Sequence, residues 1–93
     1  MLKYAYSIHH WRNVKTKVKV CNSARKILAI VTENGSTNHG VTSLVYDQAQ
    51  GNLVIEHNGE ELSVSGSVRG NLTVRGNVSM TRIRTGGSIE QYN

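Results

Sequence analysis

Lys15, Lys17 and Lys19 stand at every second position of the run Val14–Val20, with Val14, Thr16, Val18 and Val20 between them. On an extended strand alternate side chains share a face and sit about 6–7 Å apart. The three ammonium groups therefore form a stripe suited to a chain of anions. Trp11 and Arg12 precede the stripe. Together they offer the chemistry of a single-stranded nucleic-acid track: cations for phosphates and a ring on which a base stacks. The same pattern also describes a solvated strand face whose lysines discourage edge-to-edge pairing. Tyr4 and Tyr6 share parity with Leu2 and Ile8, which assigns them to a core. Arg69 and Arg75 lie six residues apart on a second polar face, with Asn71, Thr73 and Asn77. Planar guanidinium groups at such intervals suit carboxylates or phosphates. The candidate binding residues are thus Trp11, Arg12, Lys15, Lys17, Lys19, Arg69 and Arg75.

Other chemistries find less support. His9, His10, His39, His57 and Cys21 show no metal-ligand spacing, and adjacent histidines on a strand point to opposite faces. Glu56, Glu60 and Glu61 cluster without a nucleophile or a Ser/His/Asp arrangement. Gly66, Gly70 and Gly76 lack the Lys-Ser/Thr signature and following helix of a phosphate loop. The expectation is a chain that is not an enzyme, with no catalytic residues, no metal and no cofactor.

Charge is strongly segregated along the 93 residues. Residues 1–32 carry seven Lys or Arg and no acid, residues 33–61 five acids and no Lys or Arg, and residues 62–93 four arginines against Glu90. A basic block of this kind is an electrostatic footprint for a polyanion. It also suits pairing with the acidic block, within one chain or between copies, and both readings stand. The apolar fraction is 38%, below the roughly 45–50% of ordinary domains, so self-association into a homo-oligomer is reasonable. A single cysteine points to a reducing, cytoplasmic setting. No apolar stretch approaches a signal peptide or a membrane span, so no membrane partner is expected.

These residues must be positioned by strands. Leu2–Ile8 and Val14–Val20 alternate with period two around the polar loop 9–13, which makes residues 1–32 a basic β-hairpin region. Residues 27–32 and 41–46 read as further strands. In the acidic region, 33–61, Asn58-Gly59 is a strong two-residue hairpin signal because both residues accept positive φ. That turn sets Ile55 opposite Leu62 and Leu53 opposite Val64, with Glu56 facing Glu61, a like-charge pair that a Lys or Arg would relieve. Residues 62–93 are glycine-punctuated strands. Even positions from Leu62 to Met80 are apolar or glycine and odd positions polar, and the apolar phase then moves to Ile83. One straight strand of that length would span about 60 Å at roughly 3.3 Å per residue, so the chain must bend or bulge at its glycines. Residues 68–73 and 74–79 nearly repeat, Val-Arg-Gly-Asn followed by an apolar residue and a hydroxyl.

The resulting expectation is a single, mostly β domain over residues 1–93, built as a twisted antiparallel meander or partly open barrel. A short β-solenoid with six-residue rungs in the C-terminal half, with glycine at its corners, is the alternative. The leading functional expectation is a small non-enzymatic binding protein, an inhibitor or adaptor acting on a protein or nucleoprotein target through segregated charged surfaces. Direct binding of single-stranded RNA or DNA by the N-terminal Lys/Tyr/Trp region is one alternative. A self-assembling β structural protein is the other.

Overall fold

A computed structural model describes residues 14–92. The local β-signals become seven strands: β1 (Lys17–Asn22), β2 (Ile27–Thr32), β3 (Gly35–Asn38), β4 (Ser43–Asp47), β5 (Asn52–Val68), β6 (Leu72–Thr85) and β7 (Ile89–Tyr92). They form one mixed sheet in the order β3-β2-β1-β5-β6-β7, with β4 also on β5, and the sheet does not close into a barrel. The all-β class and the single domain hold. Residues 17–47 form antiparallel strands, whereas β5, β6 and β7 run parallel.

The parallel pairing produces a stack of rungs. Leu53 pairs with Leu72, and Leu72 with Ile89, so successive rungs are 19 and 17 residues long. Gly51-Asn52, Gly70-Asn71 and Gly87-Ser88 stack at one corner. Gly70 N donates to Gly51 O and Gly87 N to Gly70 O, at 3.1 and 3.2 Å. Asn71 N donates to Asn52 Oδ1 and Ser88 N to Asn71 Oδ1, both at 2.8 Å. A Cβ on Gly70 would stand 2.7 Å from Gln50 O, and one on Gly87 3.1 Å from the Gly70 carbonyl carbon, so the backbones approach as closely as they do because no side chain intervenes. The six-residue near-repeat marks one side of a rung: its two Gly-Asn pairs occupy opposite corners. The glycines therefore sit at corners as the solenoid alternative expects, but a full rung needs 17–19 residues rather than six.

The hairpin at Asn58-Gly59 does not form. Residues 58–61 make an exposed outward corner within β5, opposite Asn77 alone in β6. A type I′ turn needs positive φ at both central residues, and neither Asn58 nor Gly59 has it. Leu53 and Ile55 instead lie between β4 and β6, while Leu62 and Val64 lie between β1 and β6. The corner wins because it gives each half of β5 two strand partners and lets both halves line one core, whereas a hairpin buries a single four-residue face. Glu56 consequently neighbours Ser43 and Arg75, not Glu61.

Two further expectations meet the described residues at their limit. The Leu2–Ile8 arm of the N-terminal hairpin lies outside them, and both edges of Lys17–Asn22 are taken, by β2 and β5. The long even-position alternation is real: Leu62, Val64, Val68, Leu72, Val74 and Val78 are buried. They share one cluster with Val18, Val20, Val31, Leu53 and Ile55 on the inner side of the bend. The phase shift to Ile83 is a bulge, with Val64 opposite Met80 but Ser65 opposite Arg82, which leaves Thr81 as the extra residue.

Candidate functional site

Alternation fixes which side chains β1 presents outward. Val14, Thr16, Val18 and Val20 are buried, and Lys15, Lys17 and Lys19 are exposed, so the lysine stripe exists. Its neighbours come from long-range pairing. Lys19 lies between Ile30 and Ser65, and Ser65 pairs onward with Arg82. Lys17 lies between Thr32 and Ser67, and Ser67 pairs onward with Arg84. Arg82 and Arg84 are exposed, with Ile83 between them packed against the core. Four cations thus form a rectangle on one outer face, about 6–7 Å along each strand and about 10 Å across two strand spacings. Ser65 and Ser67 supply hydroxyls in the middle.

Glycine sets this geometry. Gly66, between the two serines, has φ +122°, and a Cβ there would fall 1.9 Å from Lys17 O. Only glycine allows β1 to lie this close to β5 at that point. Ser67 Oγ donates to Lys15 O, and Arg69 N to Thr16 Oγ1 at 3.1 Å, which fastens the entry of β1 to the end of β5. Shallow depressions flank Gly66, one lined by Lys17, Lys19, Ile30 and Thr32, the other by Ser67, Arg82 and Arg84.

No cation of the rectangle is salt-bridged to a carboxylate among the described residues, and neither is any other Lys or Arg there. Among the same residues the one contact between a histidine and a carboxylate is His57 Nε2–Glu60 Oε1 at 3.0 Å, at the far corner. Residues 1–13 contain no Asp or Glu, so they add no side-chain carboxylate either. Glu33 is turned to another task, its Oε2 accepting from Thr16 N at 2.7 Å. The basic and acidic blocks therefore do not form salt bridges with one another among the described residues.

The other candidate residues are placed apart. Arg69 is a brace: its guanidinium donates to Gln48 O and Ala49 O at 3.0 and 2.8 Å, holding the turn that leads into β5. Arg75 stands over the Tyr92 ring, 5.5 Å from its centroid, on the first half of the stack. Trp11 and Arg12 lie outside the described residues. Arg82 and Arg84 went unselected in the sequence, although they flank an apolar residue just as the lysines do. Only the pairing of β1 with β5 and β5 with β6 brings them beside Lys17 and Lys19.

The polar cluster at the far corner is structural in its bonding. Thr42 N donates to Nδ1 of the buried His57 at 3.3 Å, which puts the ring proton on Nε2, facing Glu60. Asn58 N donates to Thr42 Oγ1 at 3.0 Å. Thr42 thereby braces the 38–42 loop against the corner, while His57 and Glu60 tie the corner to itself. No group of three or more His, Cys, Asp or Glu among the described residues is placed to hold a metal ion. No helix there is long and apolar enough to cross a membrane. Comparison of the chain with protein-family models, with curated proteins and with solved structures returns no match.

Proposed function

We propose that this chain is a non-enzymatic binding protein that docks an acidic partner protein on the outer face of β1, β5 and β6. The observation that supports it is the rectangle of Lys17, Lys19, Arg82 and Arg84, exposed and without a carboxylate among its cross-strand neighbours. Such a face steers oppositely charged surfaces and rejects like-charged ones. The serines and the half-exposed Ile30 between and beside the cations match the mixed character of a protein interface. No aromatic ring among the described residues lies on this face: Tyr46 packs against the core, and the exposed Tyr92 stands beside Arg75 on the other half of the stack. Among the described residues, base stacking therefore has no platform on this face, which supports a protein partner over a nucleic-acid strand; Trp11, Tyr4 and Tyr6 lie outside them.

The test is a titration of the full chain with polyglutamate and with oligo(dT) of matched charge, at several salt concentrations. Polyglutamate should bind at low salt and weaken steeply as salt rises. The double reversals Lys17→Glu/Lys19→Glu and Arg82→Glu/Arg84→Glu should each abolish binding. Tighter binding of oligo(dT) than of polyglutamate at equal ionic strength would replace the protein reading with a nucleic-acid one. Absence of any polyanion binding at low salt would remove the docking reading altogether.

A further inference from the structure

Among the described residues, the edge of β6 away from β5 is covered only in part. β7 pairs with Leu72–Arg75, and Gln91 Nε2 then donates to Val78 O at 2.9 Å. Among the described residues, no strand pairs with that edge from Ser79 to Thr85. A strand edge carries a row of N–H and C=O groups that a further strand can satisfy. The side chains beside this edge are sorted by face. Met80 and Ile83 are half-buried and pack against the core, while Arg82 and Arg84 are exposed outside.

We propose that the β6 edge from Ser79 to Thr85 captures an extended segment of the partner protein in which carboxylates alternate with apolar residues. This rests on the docking reading for the sign of the partner's charge, and adds how the partner is held. An added strand would lie about 4.8 Å from β6. Its inward side chains extend the apolar row of Met80 and Ile83. Its outward side chains stand opposite Arg82 and Arg84, where carboxylates gain cross-strand ion pairs. The β6 edge of a second copy brings the same two arginines and meets them with like charge. A nucleic-acid strand has no peptide ladder to offer.

Amide hydrogen exchange on the full chain, with an octapeptide alternating glutamate and valine, tests this. The peptide should slow exchange in the 79–85 segment at least tenfold, while polyglutamate binds without protecting that segment. Ile83→Lys, which places a charge at the inner side of the edge, should abolish peptide capture and leave polyglutamate binding intact. Should that variant fail to fold, exchange in the natural chain still decides. Peptide binding without edge protection overturns the proposal, as do edge amides already protected in the free chain, whether at all concentrations or by self-association on concentration. On the natural chain, failure to bind both peptide and polyglutamate counts against the docking reading itself, whereas failure to bind the peptide while polyglutamate still binds sinks only the edge.

Discussion

The two halves of β5 and β6 are built from the same strands and carry opposite electrostatic designs. On the first half, outward rows run Ser43–Glu56–Arg75–Tyr92 and Val45–Val54–Thr73–Glu90 across four strands. Acid, base and aromatic ring are neighbours there, and Arg75 is spent on Tyr92. On the second half the corresponding rows are Ile30–Lys19–Ser65–Arg82 and Thr32–Lys17–Ser67–Arg84, cationic at two of four places and acidic at none. A surface compensated within itself gains nothing from a charged partner. One left uncompensated bears a repulsion that an acidic partner relieves. The difference, rather than any motif, is what favours the second half as the proposed docking face.

Substitutions can break this comparison or sharpen it. The largest effects should be equal on both halves, because each is held by a glycine under a carbonyl. Gly66→Ala would set a Cβ 1.9 Å from Lys17 O, and Gly76→Ala one 2.0 Å from His57 O, both at positive φ. Each should cost about 3 kcal/mol or more in denaturant unfolding. A markedly smaller loss at either would show that its pairing is looser than described. Next, Asn71→Ala removes the acceptor for Ser88 N and should cost about 1–2 kcal/mol, measured in the same way. Arg69→Ala, which frees Gln48 O and Ala49 O, should cost about 1 kcal/mol. The smallest effects discriminate the two faces. Arg75→Ala should lose about 0.5–1 kcal/mol of its contact with Tyr92. Arg84→Ala should leave stability within about 0.5 kcal/mol yet weaken polyglutamate binding severalfold. If Arg84→Ala destabilises as much as Arg75→Ala, the rectangle is serving the fold rather than a partner.

Much of this was legible in the sequence, and the omissions have a common cause. Alternation correctly placed Lys15, Lys17 and Lys19 outside and Leu62 to Val78 inside, because period two depends only on the strand's own geometry. It even registered the bulge at Thr81, as the phase change to Ile83. Period two is the same for parallel and antiparallel strands, however, so the parallel stack was invisible to it. Asn58-Gly59 was over-read for a related reason. A local turn preference is worth little against two strand partners for each half of β5. The stacking did leave a trace, in Gly-Asn-Leu at 51–53 and 70–72 and Gly-Ser-Ile at 87–89. Its spacing of 19 and then 17 hid it behind the tighter six-residue repeat. Arg82 and Arg84 joined the candidate site only through pairings that link positions as many as 67 apart, from Lys17 by way of Ser67 to Arg84, which no local pattern encodes.

The two corners of the stack differ in how much change they tolerate. At the ladder corner each turn between rungs has three residues, 69–71 and 86–88, and backbone packs on backbone. At the opposite corner the first rung uses four residues, 58–61, where the second uses Asn77 alone, and the bulge at Thr81 takes up part of the difference. Rung length therefore varies at one end while register is kept at the other. Insertions of one or two residues at 58–61 should leave the cation rectangle and the β6 edge in place. A single residue added beside Gly70 or Gly87 should displace every rung above it.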